Sequence, residues 1–145
     1  MSEQIYVGAY HAGFALKQQL VAELRRLGYE PVDVGPASLD PGDDYPDYAK
    51  PVAQAVSRGL VQRGVLTCGT GLGMAYTANR FPHVRAAVAW SAEIAELARK
   101  HNDANILVLP ARFVSEQESL TILSRWLDTA FEGGRHQRRV DKIDP

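Results

Sequence analysis

One cysteine stands in the whole chain, and three alternating glycines follow it: Cys68, then Gly69, Gly71 and Gly73, within GVLTCGTGLGMAYTAN at 64–79. The apolar residues Val65 and Leu66 with Thr67 predict the end of a buried strand, and the alanine-bearing run after the glycines predicts a helix. A glycine turn between them leaves backbone N–H groups pointing outward at the positive end of a helix, where an anion is stabilised. The same field favours a thiolate, so the position predicts an exposed and activated thiol. The plainer alternative is a tight turn that needs small residues, with the thiol a small buried hydrophobe. GTGLGM lacks the last glycine of a dinucleotide fingerprint and the Gly-Lys-Ser/Thr ending of a nucleotide P-loop.

Other groups with chemical potential lie far from Cys68 in sequence. The histidines are His11, His83, His101 and His136. No two of them have metal-ligand spacing and there is no second cysteine, so no metal is expected. His101, in KHNDAN, sits where a helix should end, and spacing alone weighs a capping role and a catalytic role evenly. Arg135 and Arg139 are four apart, so one helical face can present two guanidinium groups to a phosphate, and Arg112 could join them. Equally, GGRHQRRVDK could be a solvated basic end. The acidic stretch DPGDDYPDY reads as a surface loop, with Tyr45 and Tyr48 as candidate lids.

The elements that must position these residues alternate along the chain. Residues 5–9 predict a strand, and Leu16, Leu20, Leu24 and Leu27 predict a helix stopped by Gly28. A second strand at 30–34 leads into a loop at 35–46 with three prolines, two glycines and three aspartates. Ala49, Val52, Ala53 and Val56 mark a helix over 48–58; the Cys68 strand and loop follow, then a helix around 74–79 and an apolar strand at 85–89. Ser91 can cap a helix to about residue 100, and 106–109 predicts a fifth strand. Ser115 and Glu118 have capping-box spacing, with Leu120, Leu123, Leu127 and Phe131 as the core stripe of a last helix. Five strands alternating with helices predict an α/β fold: a Rossmann-like three-layer α/β/α domain with a five-stranded parallel sheet. Ligands of such sheets bind beyond the carboxyl ends of the strands. That rule draws His11 and Cys68 together and, a helix later, His101 and Asn102.

At 145 residues, with 46% hydrophobic and 23% charged, the chain predicts one domain with a sizeable core over 1–145 and a basic tail from about 133. A net charge of −1 argues against a whole-surface nucleic-acid binder. No window approaches the ~20 apolar residues of a membrane span, and no basic segment precedes an apolar run at the N-terminus. A cytoplasmic protein with a reduced thiol is expected.

Four separated motifs carry a resemblance over 5–143: DDYPDYA at 43–49, GTGLGM after Cys68, HNDANILVLPAR at 101–112 and FEGGRHQRRV at 131–140. Together they resemble the type B ribose-5-phosphate isomerase family, which includes galactose-6-phosphate isomerase subunits. The resemblance implies aldose–ketose interconversion of a sugar phosphate through an enediolate, with no metal or organic cofactor. Cys68 would be the base moving a proton between carbons 1 and 2, His101 would open the sugar ring, and Thr70 would assist. Backbone amides from Gly69 through Gly71 to Gly73 would hold the enediolate oxygens, Asn102 a sugar oxygen, and Tyr45 would line the pocket. His11, Arg112, Arg135 and Arg139 would hold the phosphate. A homodimer, or a dimer of dimers, with the site between subunits is implied. The chemistry is coherent, since a base beside preorganised donors is what abstraction next to a carbonyl needs.

One departure concerns substrate. The family's first turn reads Asp-His-Ala-Gly, and this chain reads Tyr10-His11-Ala12-Gly13. Tyr10 is bulkier, a weaker acceptor and uncharged. Ribose 5-phosphate, another four- to six-carbon sugar phosphate, or binding without conversion are the outcomes this leaves open. A nucleotide-binding domain of flavodoxin-like topology explains the fold but not the cysteine.

Overall fold

In the computed structural model, which describes residues 2–145, the apolar runs form one parallel sheet. The strands are β1 (Gln4–Ala9), β2 (Glu30–Asp33), β3 (Arg63–Cys68), β4 (Ala86–Val88) and β5 (Ile106–Pro110), in the order β2-β1-β3-β5-β4. The most continuously apolar strand, β5, is buried along its whole length, and β3 is buried from Gly64 onward. The shorter β2 and β4 form the half-exposed edges. A fully buried central strand is covered on both faces, which is why its sequence does not alternate.

Helices α1 (Phe14–Arg26), α4 (Ala92–Asn102) and α5 (Glu116–Leu127) cover one face; α2 (Pro46–Ser57) and α3 (Leu72–Ala78) cover the other. The strand order dictates this division. Stepping from β1 to β2 runs one way across the sheet, whereas β2 to β3 and β3 to β4 run the other way, and right-handed crossovers then place α2 and α3 opposite α1. Side chains alternate accordingly: Val65, Leu107 and Leu109 join the α1/α4/α5 core, while Leu66, Cys68, Ile106 and Val108 join the α2/α3 core.

The helix ends follow their sequence signals. Gly28 adopts φ +95°, and the Tyr29 N–H reaches back to the Leu24 carbonyl at 2.9 Å, closing α1 as a Schellman turn. Ser91 caps α4 through Oγ, and Ser115 with Glu118 forms the expected capping box on α5. Two expectations are corrected. Helix α2 begins at Pro46, since proline suits the first helical position, where no N–H is needed. Helix α5 ends at Leu127, so Phe131 lies outside it and the buried stripe runs through Ile122, Leu123, Trp126 and Leu127. After α5 the chain folds back on α4, with the Arg99 guanidinium on the Thr129 carbonyl and the Glu132 N–H on the Lys100 carbonyl, before a short α6 (Arg135–Val140).

Lys17 is fully buried and donates to both Asp33 oxygens, at 2.9 and 3.1 Å, and to the Pro36 carbonyl. That ammonium ties α1 to the end of β2 and to the start of the acidic loop. No helix among the described residues is long and apolar enough to cross a membrane.

Candidate active site

Cys68 ends β3 at the carboxyl edge of the sheet, opposite Pro110 of β5. The chain must then turn sharply into α3, and Gly71 does so in the left-handed region at φ +81°. Its N–H donates to the Cys68 Sγ at 3.0 Å. The Thr70 side chain lies exposed beside this turn and accepts the Leu72 N–H at 3.2 Å. Close approach explains the other two glycines. A Cβ on Gly69 would sit 3.1 Å from the Arg112 side chain, and one on Gly73 would sit 2.7 Å from the Tyr45 ring. Arg112 and Tyr45 therefore pack directly against the glycine turn.

The loops after β1 and before α2 complete this edge. The Tyr10 ring stands edge-on to His11 at 4.5 Å and to Tyr45 at 5.8 Å between centroids. Asp43 holds His11 twice through Oδ1, accepting its backbone N–H at 3.1 Å and lying 2.8 Å from its Nδ1. The Asp43 side chain is 5% exposed, and its Oδ2 has no partner among the described residues. Phosphate-compatible His11 and Arg112, the thiol and the amide loop thus share one face.

The thiol departs from its expected state. Cys68 is 2% exposed, and burial pushes its pKa up, against the N–H groups of Gly71, Met74 and Thr70 and the charge of Arg112, which pull it down. The helix-end field expected to activate it is present, but loss of water outweighs it. Burial thus favours the neutral thiol, although the donors around the sulfur favour its anion.

His101, Asn102, Arg135 and Arg139 do not join this edge within the same chain. Helix α4 starts where β4 ends and runs back across the sheet for 11 residues, about 16 Å. Its last turn therefore lies by the amino ends of the strands, where Asn105 accepts the Gly64 N–H at 2.9 Å. There His101 stacks on His136 with centroids 4.4 Å apart. It does not cap the helix, whose end is closed by Asp103 at φ +49°. Glu132 Oε1 lies 3.9 Å from the Nε2 of His101 and 3.5 Å from that of His136. Arg135 and Arg139 are exposed on α6 beside this cluster. Asn102 lines a cleft of about 550 Å³ with Asn79, Phe81, Arg85 and Ile143, at the edge of the sheet opposite Cys68.

Comparison with known proteins agrees with the motifs. Residues 5–143 match the family described as Ribose/Galactose Isomerase. The chain belongs to that family. It is 43% identical over 141 residues to the ribose-5-phosphate isomerase B of Escherichia coli, covering 97% of this chain and 94% of that one. A ribose 5-phosphate isomerase from Thermotoga maritima superposes with a TM-score of 0.95 at 44% identity, covering 99% of each chain. The type B enzyme of Mycoplasma genitalium, solved with bound ribulose-5-phosphate, gives 0.95 at 43% identity, covering 99% of this chain and 95% of that one.

As a ribose/galactose isomerase family member, the chain carries its candidate chemistry in two parts. One edge holds Cys68, Thr70, the glycine amides, Tyr10, Tyr45, His11 and Arg112; the other holds His101, Asn102, Arg135 and Arg139. Sequence reasoning missed Asp43, Glu132 and His136. Asp43 was hidden among the aspartates of a loop whose composition reads as surface. The pairing of His101 with His136 is tertiary and has no counterpart in local spacing.

Proposed function

We propose that this chain interconverts ribose 5-phosphate and ribulose 5-phosphate, with Cys68 as the base. The carrying observation is the thiol at the end of β3 with the Gly71 N–H 3.0 Å from sulfur, inside the glycine turn that opens α3. The thiolate takes the C2 proton of the open-chain aldose, and the electron pair moves to the C1 carbonyl oxygen. That oxyanion is held by the amides from Gly69 through Gly71 to Gly73. The thiol returns the proton to C1, while the proton on O2 passes to O1 with Thr70 as carrier, leaving the carbonyl at C2. His101 opens the ring, Asn102 holds a sugar oxygen, Tyr10 and Tyr45 wall the pocket, and His11, Arg112, Arg135 and Arg139 hold the phosphate. Binding the phosphate far from the reacting carbons fixes orientation without touching the chemistry. No organic cofactor enters this scheme.

The same reading makes the active unit a homodimer, as such or within a dimer of dimers. Each chain supplies the Cys68 edge of one site and the His101 edge of the other. Two observations support it: the separation of the two edges, and the exposed apolar side chains of Leu72, Tyr76, Trp90 and Phe113, which lie on α3 and the loops after β4 and β5.

The test is proton NMR in heavy water with ribose 5-phosphate and a panel of four- to six-carbon sugar phosphates. Ribose 5-phosphate should convert with loss of its C2 proton signal, and Cys68→Ala should abolish turnover while still binding the sugar phosphate. Near-normal turnover in that variant would remove the thiol as base. Binding of the panel without any exchange would make the chain a sensor.

A further inference from the structure

We propose that His101, Glu132 and His136 form a site for one Zn²⁺ ion per chain, whose occupancy takes His101 away from the sugar. The three donor atoms already lie within 4.8 Å of one another, and Glu132 Oε1 is 3.5 and 3.9 Å from the two Nε2 atoms. Tetrahedral zinc with bonds of about 2.0–2.1 Å needs donors roughly 3.4 Å apart, so closure asks for shifts of about 1 Å together with a turn of the His101 ring. Two imidazoles and one carboxylate suit zinc and leave its fourth position to water; calcium and magnesium prefer all-oxygen sets.

The cluster is anchored as a site should be. His136 is the fixed member: its side chain is 8% exposed, and its Nε2 is buried without a hydrogen-bond partner among the described residues. A buried nitrogen left unpaired is costly, and a metal would satisfy it. Its backbone is held by the N–H bond to the Gly133 carbonyl, and that of Glu132 by its bond to Lys100. His101 and Glu132 are the adjustable members, 42% and 49% exposed. A metal must lie in the plane of each ring, so His101 has to leave its near-parallel stack on His136.

Charge sets the strength. Arg135 and Arg139 lie beside His136 on α6. The same arginines repel a dication, so the site is exchangeable rather than structural. Its regulatory consequence rests on the isomerase reading, because it removes the residue assigned to ring opening. The metal site itself does not.

The test is competition for Zn²⁺ against a chromogenic chelator at roughly micromolar free metal, using the full chain as purified. One equivalent per chain is expected, with Glu132→Gln and His136→Asn each weakening binding by roughly tenfold or more. Cys68→Ala should keep the full stoichiometry, and the His101 ring signals should lose their stacking shift when zinc is added. No binding, or binding lost with Cys68 instead, overturns the site. In the rate assay, zinc should slow the wild type, and a chelator should restore it. A rate that does not respond while binding persists overturns the regulatory half alone. Because binding is read without turnover, a chain inactive on sugars leaves the metal result standing.

Discussion

Mixing two dead variants should restore activity if each site draws on two chains. Cys68→Ala removes the proposed base from one edge, and His101→Asn removes the ring-opening group from the other. Helix α4 separates those edges by about 16 Å along its 11 residues, a span longer than a five-carbon sugar phosphate can bridge. In an isologous dimer, equal amounts of the two variants redistribute so that about half of the dimers are mixed. Each mixed dimer has one site carrying both substitutions and one site carrying neither. The exchanged mixture should therefore recover about a quarter of the wild-type rate per chain, from parents near zero. Had Cys68 and His101 belonged to one chain, no mixed dimer would contain an intact site and the rate would stay at the parental level. The assay is the NMR rate of ribose 5-phosphate conversion after mild dissociation and reassociation, with exchange verified by native mass spectrometry. Verified mixed dimers without recovery would refute the trans-assembled site.

Five further outcomes follow from the geometry. Because burial raises the Cys68 thiol, kcat/KM should climb with pH through and beyond the ordinary thiol value of about 8.5. The same raised pKa makes folding stability fall as pH rises from about 8.5 toward the folded value, and chemical denaturation should show this slope removed in Cys68→Ser. Asp43→Asn, which loosens His11, should raise KM for the sugar phosphate more than it lowers kcat; a fall in kcat with KM unchanged would assign Asp43 a purely structural role. Tyr10→Asp should raise activity on ribose 5-phosphate relative to other sugar phosphates, more so when combined with Asp43→Ser, and an unchanged ranking would remove Tyr10 from specificity. Asp33→Ala leaves the buried Lys17 ammonium with one carbonyl partner, and calorimetry should find a loss of about 3 kcal/mol, or roughly 10 °C in Tm.

The layers of this fold are readable because each depends on local pattern. Leucines at helical spacing gave α1, the unbroken apolar run gave β5 a buried place, and Ser115 with Glu118 marked the start of α5. Which strands neighbour one another is not a local property, and the order β2-β1-β3-β5-β4 comes from packing across the sheet. The thiol's state was misjudged for a related reason. The helix-end field could be inferred from the glycine turn, whereas burial by α2 and α3 could not. Drawing His101 to the Cys68 edge of its own chain was an error of direction. In a parallel sheet every crossover helix returns the chain to the amino edge, so a residue at the end of α4 must lie opposite the loop that ends β3.

The first turn shows the same limit at the scale of one charge. Tyr10 in place of an acidic residue suggests a pocket stripped of its carboxylate. The fold brings one back from a different element, since Asp43 of the acidic loop lies 2.8 Å from His11, whose ring Tyr10 touches edge-on. Restoring an aspartate at position 10 would then set two carboxylates around one imidazole, and like charges in a shared, partly dry site oppose each other's ionisation. That repulsion is why the Tyr10→Asp gain should grow when Asp43 is neutralised. The expected outcome is that substrate preference follows the Tyr10–His11–Asp43 group as a unit, with neither single substitution moving it as far as the pair.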